Sequence, residues 1–241
     1  PQSEPPALSA SKVPVQKPPA PSNGKKLLYV CVDIEHTTPT PCLSEIFEIA
    51  VAPFATEVVD DNTSVELINN GPYVERIKPS LQFGNNEFYW KTTQLTNCSL
   101  KDVEKCPEFP EVMERIERHI ERFKEKHQCD EVVLCGWNFY SVDHRILVHD
   151  YKRHNRDWPE SWRWGWDGYR SVFAKKDHRF KITRRTKKNP DGAAAKAGNT
   201  SMSVSGIYKA INKKDMENHH QAADDVKATV QILRQNDVWK L

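Results

Sequence analysis

Leu27-Leu28-Tyr29-Val30-Cys31-Val32 is an unbroken apolar run that ends in Asp33-Ile34-Glu35. A run of this kind predicts a buried central strand over Leu27–Ile34. Beyond the turn-rich Thr37-Thr38-Pro39-Thr40-Pro41, Ile46, Glu48 and Ala50 alternate with Phe47, Ile49 and Val51, which predicts a second strand over Ile46–Pro53. A third, more polar strand is expected over Tyr73–Lys78. In Pro110–Lys126 the apolar residues Val112, Ile116, Ile120 and Phe123 recur near helical spacing with charge on the other faces, the pattern of an amphipathic helix. Glu131–Cys135 is another apolar run, stopped by Gly136. Helices are expected at Val142–Tyr151, Ser203–Ile211 and Ala222–Leu233. Strands first, then helix, strand and helices, is an α/β order with a mixed sheet.

The 241 residues suffice for one sizeable domain. Pro1 to Lys26 lies outside it: Pro and Ser recur there, with almost no large apolar residue to offset the entropy of ordering. A disordered Pro-rich tail or linker is therefore expected at 1–26 and a single domain at 27–241. The lack of an initiator Met suggests a fragment of a longer protein. Net charge is only +2, so no global basic field announces a partner. The positive charge is local: eight Lys and Arg stand against Asp177 alone between Lys175 and Lys188, and a Gly- and Pro-containing stretch follows to about residue 200. The six cysteines form no C-x-x-C pair, and Cys31 and Cys135 fall inside apolar strands, which fits a reducing compartment better than a disulfide framework or a zinc site. No apolar run approaches the ~18 residues of a membrane span. The expected setting is intracellular, nucleus or cytoplasm, with no membrane contact.

Candidate chemistry begins at Asp33 and Glu35. Strand side chains repeat every second residue, so the two carboxylates share a face where a fold would normally place Val or Ile. Like charges that close repel, and burial worsens the repulsion; divalent cations between them would relieve it. Two oxygen-bound cations need further acids. Asp225 lies in a helical stretch among Val226, Ala228, Val230 and Ile232. Asp143 follows the strand Glu131–Cys135 and the loop Gly136-Trp137-Asn138, past a strand end, where open α/β sheets place ligands. Asp150 is a nearby competitor for that role, as His219 is for His220. On one continuous helix His220 and Asp225 would lie ~140° apart, so His220 is expected in the preceding loop, as a general base near neutral pH. Trp162, Trp164 and Trp166 recur at every second position; packing of one face of an extended segment is the plain expectation, and a platform for stacked bases is the alternative.

Asp33-x-Glu35, then Asp143, then His220-x-Ala222-x-x-Asp225 resembles the ordered motifs of the DEDDh 3′→5′ exonucleases, a group that includes proofreading subunits and RNase T-like enzymes. Asp-Ile-Glu-His-Thr-Thr is similar to the family's Asp-x-Glu-Thr-Thr-Gly, with Thr37 at the retained Thr, and Ser44–Ala50 to its Ile-x-Glu-Ile-Ala strand. The five-residue step from Asn138 to Asp143, and Ser201-Met202-Ser203-Val204-Ser205-Gly206-Ile207-Tyr208, resemble the three-prime repair (TREX) group most. The chain departs from the family where Gly is missing after Thr37 and where Trp137 replaces the usual His.

The resemblance implies a ribonuclease H-like α/β fold with a mixed five-stranded sheet flanked by helices. It implies two Mg²⁺ per site, replaceable by Mn²⁺, held by Asp33, Glu35, Asp143 and Asp225, with His220 deprotonating the attacking water and Glu35 orienting it. Thr37 and Asn138 are expected at the substrate. Arg179, Arg184 and Arg185, in the basic stretch 175–188, occupy the place of an arginine-rich DNA-binding loop in some members. The expected substrate is the 3′ end of single-stranded or frayed DNA, with RNA or a hydrolysis-deficient binding module as the alternatives. The expected assembly is a homodimer.

Overall fold

The computed structural model describes residues 26–38, 40, 42–59, 62–67, 71–80, 94–168, 203–216, 218 and 220–235, with the side chains of 55–59, 62–67, 164–166 and 234–235 outside that description. The strands are β1 (Leu27–His36), β2 (Ile46–Val59), β3 (Asn62–Leu67), β4 (Tyr73–Arg76), β5 (Glu131–Gly136) and β6 (Trp162–Asp167). The helices are α1 (Leu100–Val103), α2 (Phe109–Lys126), α3 (Asp143–Arg153), α4 (Val204–Asn212) and α5 (Ala222–Gln235). The Pro-rich segment up to residue 25 and the basic stretch 175–188 lie outside the described residues.

The mixed sheet runs β3-β2-β1-β5-β6, with β4 also pairing β2. β1 is antiparallel to β2 and parallel to β5, and β5 is parallel to β6. β2 is longer than its alternation predicts because it changes partners along its outer edge. Its first part pairs β4 up to Val51↔Tyr73, and its second pairs β3 from Phe54↔Leu67. Pro53, which has no N–H to donate, falls between the two.

Alternation along β1 sorts the core into two layers. Leu28, Val30, Val32 and Ile34 pack with Val112, Met113, Ile116 and Ile120 of α2 and with Ile146, Leu147 and Tyr151 of α3. On the other face Cys31 and Cys135, neighbours in register across β1 and β5, pack with Ala50, Ala52 and Phe54 and with Ala222, Val226, Val230 and Leu233 of α5. α4 then packs on the outer side of α5, with Trp137, Val204, Ile207, Ala228 and Ile232 in contact. The flanked, mixed sheet of the sequence expectation is present. All six cysteines are free thiols, and four of them are buried.

Gly136, where β5 leaves the sheet, sits against the backbone of β1. A Cβ there would lie 2.5 Å from the carbonyl oxygen of Val32 and 3.2 Å from the Phe139 ring. Only glycine allows the strand to end that close to β1, and this contact sets the path of the turn that follows.

Candidate active site

The parity that sends Cys31 toward α5 sends Asp33 and Glu35 there too, at the carboxyl end of the central strand. α5 packs Ala222 and Val226 onto the same face, and Asp225 lies between them in its first turn. The three side chains meet: one carboxylate oxygen each from Asp33, Glu35 and Asp225 lie within 4.8 Å of one another. Almost two hundred residues of sequence separation are closed by one helix–sheet contact.

Asp143 reaches the same place from the other side. β1 pairs with β5 only as far as Cys31↔Cys135. Beyond that point Ile34, still paired with Ile49 of β2, no longer faces β5, and its N–H donates to Asp143 Oδ1 at 3.3 Å. Asp143 is the first residue of α3 and is 7% exposed. Its oxygens are not among the three that cluster within 4.8 Å, yet its charge is felt by both Asp33 and Glu35.

Charge and burial oppose ionisation throughout the site. Burial holds the Asp33 carboxyl well above the usual carboxylate range, reinforced by Asp143, Asp225, Glu35 and Cys31, in that order. Burial, then Asp225, Glu48 and Asp143, push Glu35 up to about 9. Asp143 is raised to about 7 by burial, with its own amide and that of Ile34 pulling the other way and Asp167 and Asp225 adding to the rise. Asp225 is raised to about 6 by burial, against the amide of His220 and with help from Asp224. At an effective dielectric of about 20, two carboxylates about 4 Å apart repel by about 4 kcal/mol. Among the described residues, every neighbouring charge that acts on Asp33 or Glu35 is negative or thiol-borne, and none is a cation that would neutralise them. An all-oxygen, acid-only donor set fits Mg²⁺ or Mn²⁺ and does not fit a soft metal. Asp33, Glu35 and Asp225 are placed to hold such an ion directly.

His220 stands outside α5, in the turn before it, as the spacing to Asp225 requires. It is exposed and adopts a left-handed backbone (φ 68°), and its N–H donates to Asp225 Oδ2 at 3.1 Å. The turn is thus tied to the carboxylate it is paired with in sequence. His219 lies outside the described residues. Thr37 is used by the fold: its hydroxyl accepts the Glu45 N–H at 3.0 Å, and its own N–H donates to the Glu45 carbonyl. Next to it, His36 Nδ1 donates to the Thr38 carbonyl at 2.8 Å, and the Thr38 N–H donates to Ser44 Oγ at 3.2 Å. Asn138 takes a left-handed backbone (φ 55°) and its carbonyl accepts the Ser141 N–H, so it shapes the turn toward Asp143. Arg179, Arg184 and Arg185 lie outside the described residues. Trp162 is buried against Trp158, as a packing residue.

Asp150 is resolved from Asp143 by its partners. It is 2% exposed, accepts the Ile46 N–H at 2.9 Å, and is bonded to Arg153, which also donates to the Ser44 carbonyl. It braces the start of β2 and takes no part in the acid cluster. Asp224, beside Asp225 in the first turn of α5, is partly covered and paired with Lys227 at 2.9 Å.

Two buried acids near the cluster went unrecognised in the sequence. Glu48 pairs in register with Glu35 across β1 and β2 and is 7% exposed. Asp167, at the end of β6, is 3% exposed and accepts the Tyr140 N–H at 3.2 Å, in the turn that leads to Asp143. The available signal was a charged residue at an inward position of a strand.

This architecture is shared with solved nucleases. Cell-death related nuclease 4 superposes with a TM-score of 0.61 at 15% identity, over 86% of this chain and 62% of that one. A full-length 3′-exonuclease gives 0.58 at 14% identity, over 88% and 60% of the two chains. E. coli exonuclease I in complex with a dT13 oligonucleotide gives 0.56 at 18% identity, over 89% and 43%. The fold is ribonuclease H-like. Within that ribonuclease H-like framework the chain spans less than two thirds of each of these three proteins. No family profile matches the chain, and no curated protein does. Among the described residues no helix is long and apolar enough to cross a membrane.

Proposed function

We propose that the chain is a divalent-metal-dependent 3′→5′ exonuclease of the DEDDh, TREX-like kind, which releases nucleoside 5′-monophosphates from DNA 3′ ends. The observation that carries this reading is the convergence of Asp33, Glu35 and Asp225 oxygens within 4.8 Å, in a site where the charges of the described residues are unfavourable to Asp33 and Glu35. Divalent cations bound there would supply the positive charge that activates water and stabilises the departing 3′ oxygen. Asp33, Glu35 and Asp225 would hold the cations at the end of the central strand, and Asp143 would add its carboxylate from the head of α3. His220, exposed on its turn, takes the proton of the attacking water. The water oxygen bonds to phosphorus, the bond from phosphorus to the 3′ oxygen breaks, and that oxygen leaves with the shortened strand and acquires a proton. Thr37 and Asn138 are read as lining the approach of the terminal nucleotide, and Arg179, Arg184 and Arg185 as phosphate contacts that give affinity without sequence choice. Solved neighbours include exonuclease I bound to single-stranded dT13 and dA16 oligonucleotides, which supports a single-stranded substrate for this chain as well.

The test is a 5′-labelled single-stranded DNA oligonucleotide incubated with Mg²⁺ or Mn²⁺, beside an RNA oligonucleotide of the same sequence. A ladder shortened from the 3′ end, abolished by chelation and by Asp33→Ala, is the expected result. Undiminished cleavage by Asp33→Ala would overturn the assignment, and preferential loss of the RNA would move the substrate to RNA.

A further inference from the structure

Glu48 lies in β2 beside Glu35, in the same register pair, yet it is not one of the three clustered acids. Its two carboxylate oxygens are committed elsewhere. Oε1 accepts the N–H of Ala222, the first residue of α5, at 3.3 Å, and Oε2 accepts Arg76 Nε at 3.1 Å. Ala222 lies between His220 and Asp225 in the chain, and the His220 N–H closes the same turn onto Asp225 Oδ2. The first N–H groups of a helix have no partner within it. One of those of α5 is therefore satisfied by the strand next to the one that carries Asp33 and Glu35.

We propose that Glu48 is a positioning residue for the metal site. Its acceptor oxygen pins the N-terminus of α5, and with it Asp225 and the His220 turn, at a fixed height above β1. Arg76, about half exposed on β4, holds the second oxygen and fixes the carboxylate's rotation. The role belongs to the acceptor at that reach, and the negative charge is incidental to it. Asp225 has no other polar tie to the sheet among the hydrogen bonds described: its oxygen is bonded to the turn of its own helix. Without the Glu48 bond, the spacing between Asp225 and the β1 acids is left to the apolar contacts of α5 with the sheet, Ala222, Val226, Val230 and Leu233 among them, and apolar contacts are non-directional. Supporting partners of this kind typically alter metal affinity or activity by 10–100-fold.

This inference rests on the proposed metal site and separates into acceptor, reach and charge. Glu48→Gln keeps one acceptor oxygen at the same reach for the Ala222 N–H, and removes the charge together with the acceptor that faces Arg76. Glu48→Asp keeps the charge and shortens the arm. Glu48→Ala removes both. The measurement is Mn²⁺ titration of the metal-free full chain, followed by electron paramagnetic resonance, with Tm and, on the loaded protein, kcat and KM for an oligonucleotide. Expected is Mn²⁺ binding weakened about tenfold or more in Glu48→Asp and Glu48→Ala, with kcat falling and KM for the oligonucleotide steady, and Glu48→Gln within about threefold of the native chain. Native Mn²⁺ affinity in Glu48→Asp, or Glu48→Gln as impaired as Glu48→Asp, overturns the proposal even if Glu48→Ala does not fold. The Mn²⁺ readout needs no turnover: a native chain that binds Mn²⁺ but cleaves nothing defeats the exonuclease reading alone, and an active native chain with indifferent Glu48 variants defeats the positioning role alone.

Discussion

Asp143 and Ile34 are joined where β1 loses its parallel partner: the N–H that would have continued the ladder donates instead to the carboxylate of Asp143, 3.3 Å away. One side chain thereby completes the sheet edge and adds negative charge to the acid cluster. The two roles separate by substitution. Asp143→Asn can still accept the Ile34 N–H through its amide oxygen but contributes no charge. It is expected to keep the native Tm within a few degrees and to lose about 100-fold or more in kcat. Asp143→Ala is expected to lose both, with the buried Ile34 amide left unsatisfied at a cost of about 1–3 kcal/mol. Thermal denaturation beside single-turnover rates decides the matter; an Asp143→Asn variant with native kcat would remove Asp143 from the site.

Asp150 makes the opposite prediction. It is as buried as Asp143, but its partners are the Ile46 amide and Arg153, away from the cluster. Removing one partner of a buried charge pair is costly because the other is stranded, by about 3–5 kcal/mol. Asp150→Ala is expected to lower Tm by roughly 6 °C or more, at about 2–4 °C per kcal/mol for a chain of this size. The rate per folded molecule at a temperature well below Tm should change little. A large fall in kcat at unchanged Tm would show that the two aspartates had been assigned the wrong way round.

The contrast between these residues shows what was legible in the sequence. Strand parity alone puts Asp33 and Glu35 on one face, and the five-residue step puts His220 outside the helix that carries Asp225, so those positions followed from local geometry. Asp143 and Asp150 both lie in one helix after one strand, and only tertiary partners tell them apart. β3 was not recognised because Asn62-Thr63-Ser64-Val65-Glu66-Leu67 lacks an apolar alternation; its pairing with the outer part of β2 is a long-range fact. Glu48 reads as one of many strand glutamates until the helix whose amide it accepts arrives from 174 residues away. Thr37, expected at the substrate through resemblance, carries a fold contact to Glu45 that no spacing announces.

Gly136 offers a test of the turn that delivers Asp143. A methyl group there meets the Val32 carbonyl at 2.5 Å, and backbone cannot swing aside as the end of a flexible side chain can. Gly136→Ala is expected to destabilise the chain by about 1–3 kcal/mol. Because Val32 adjoins Asp33, the displaced strand should also depress kcat. Native Tm and native kcat together would show that β5 and β1 can separate freely at this point.

Metal-free stability should fall as pH rises, the reverse of what paired carboxylates give. Glu35 titrates at about 9 in the folded chain against 4.5 for the free group, and Asp143 and Asp225 at about 7 and about 6 against 3.8. Between the free and folded values the folded state holds more protons than the unfolded one, so raising pH favours unfolding. The loss begins near the free carboxylate values, at about pH 4 to 5, and is complete only near pH 9. Divalent cations, which bind the ionised carboxylates of the folded state, should restore stability, and more so at higher pH. Differential scanning calorimetry of chelated protein across pH 5 to 9, repeated with saturating Mg²⁺ or Mn²⁺, is the direct measurement. Asp33→Asn removes one charge from the cluster, and should raise the metal-free Tm at pH 8 and flatten its pH dependence while diminishing the rise that Mn²⁺ produces. A metal-free chain as stable at pH 9 as at pH 5, indifferent to both cations, would mean that Asp33, Glu35 and Asp225 are neutralised by some means other than a bound ion.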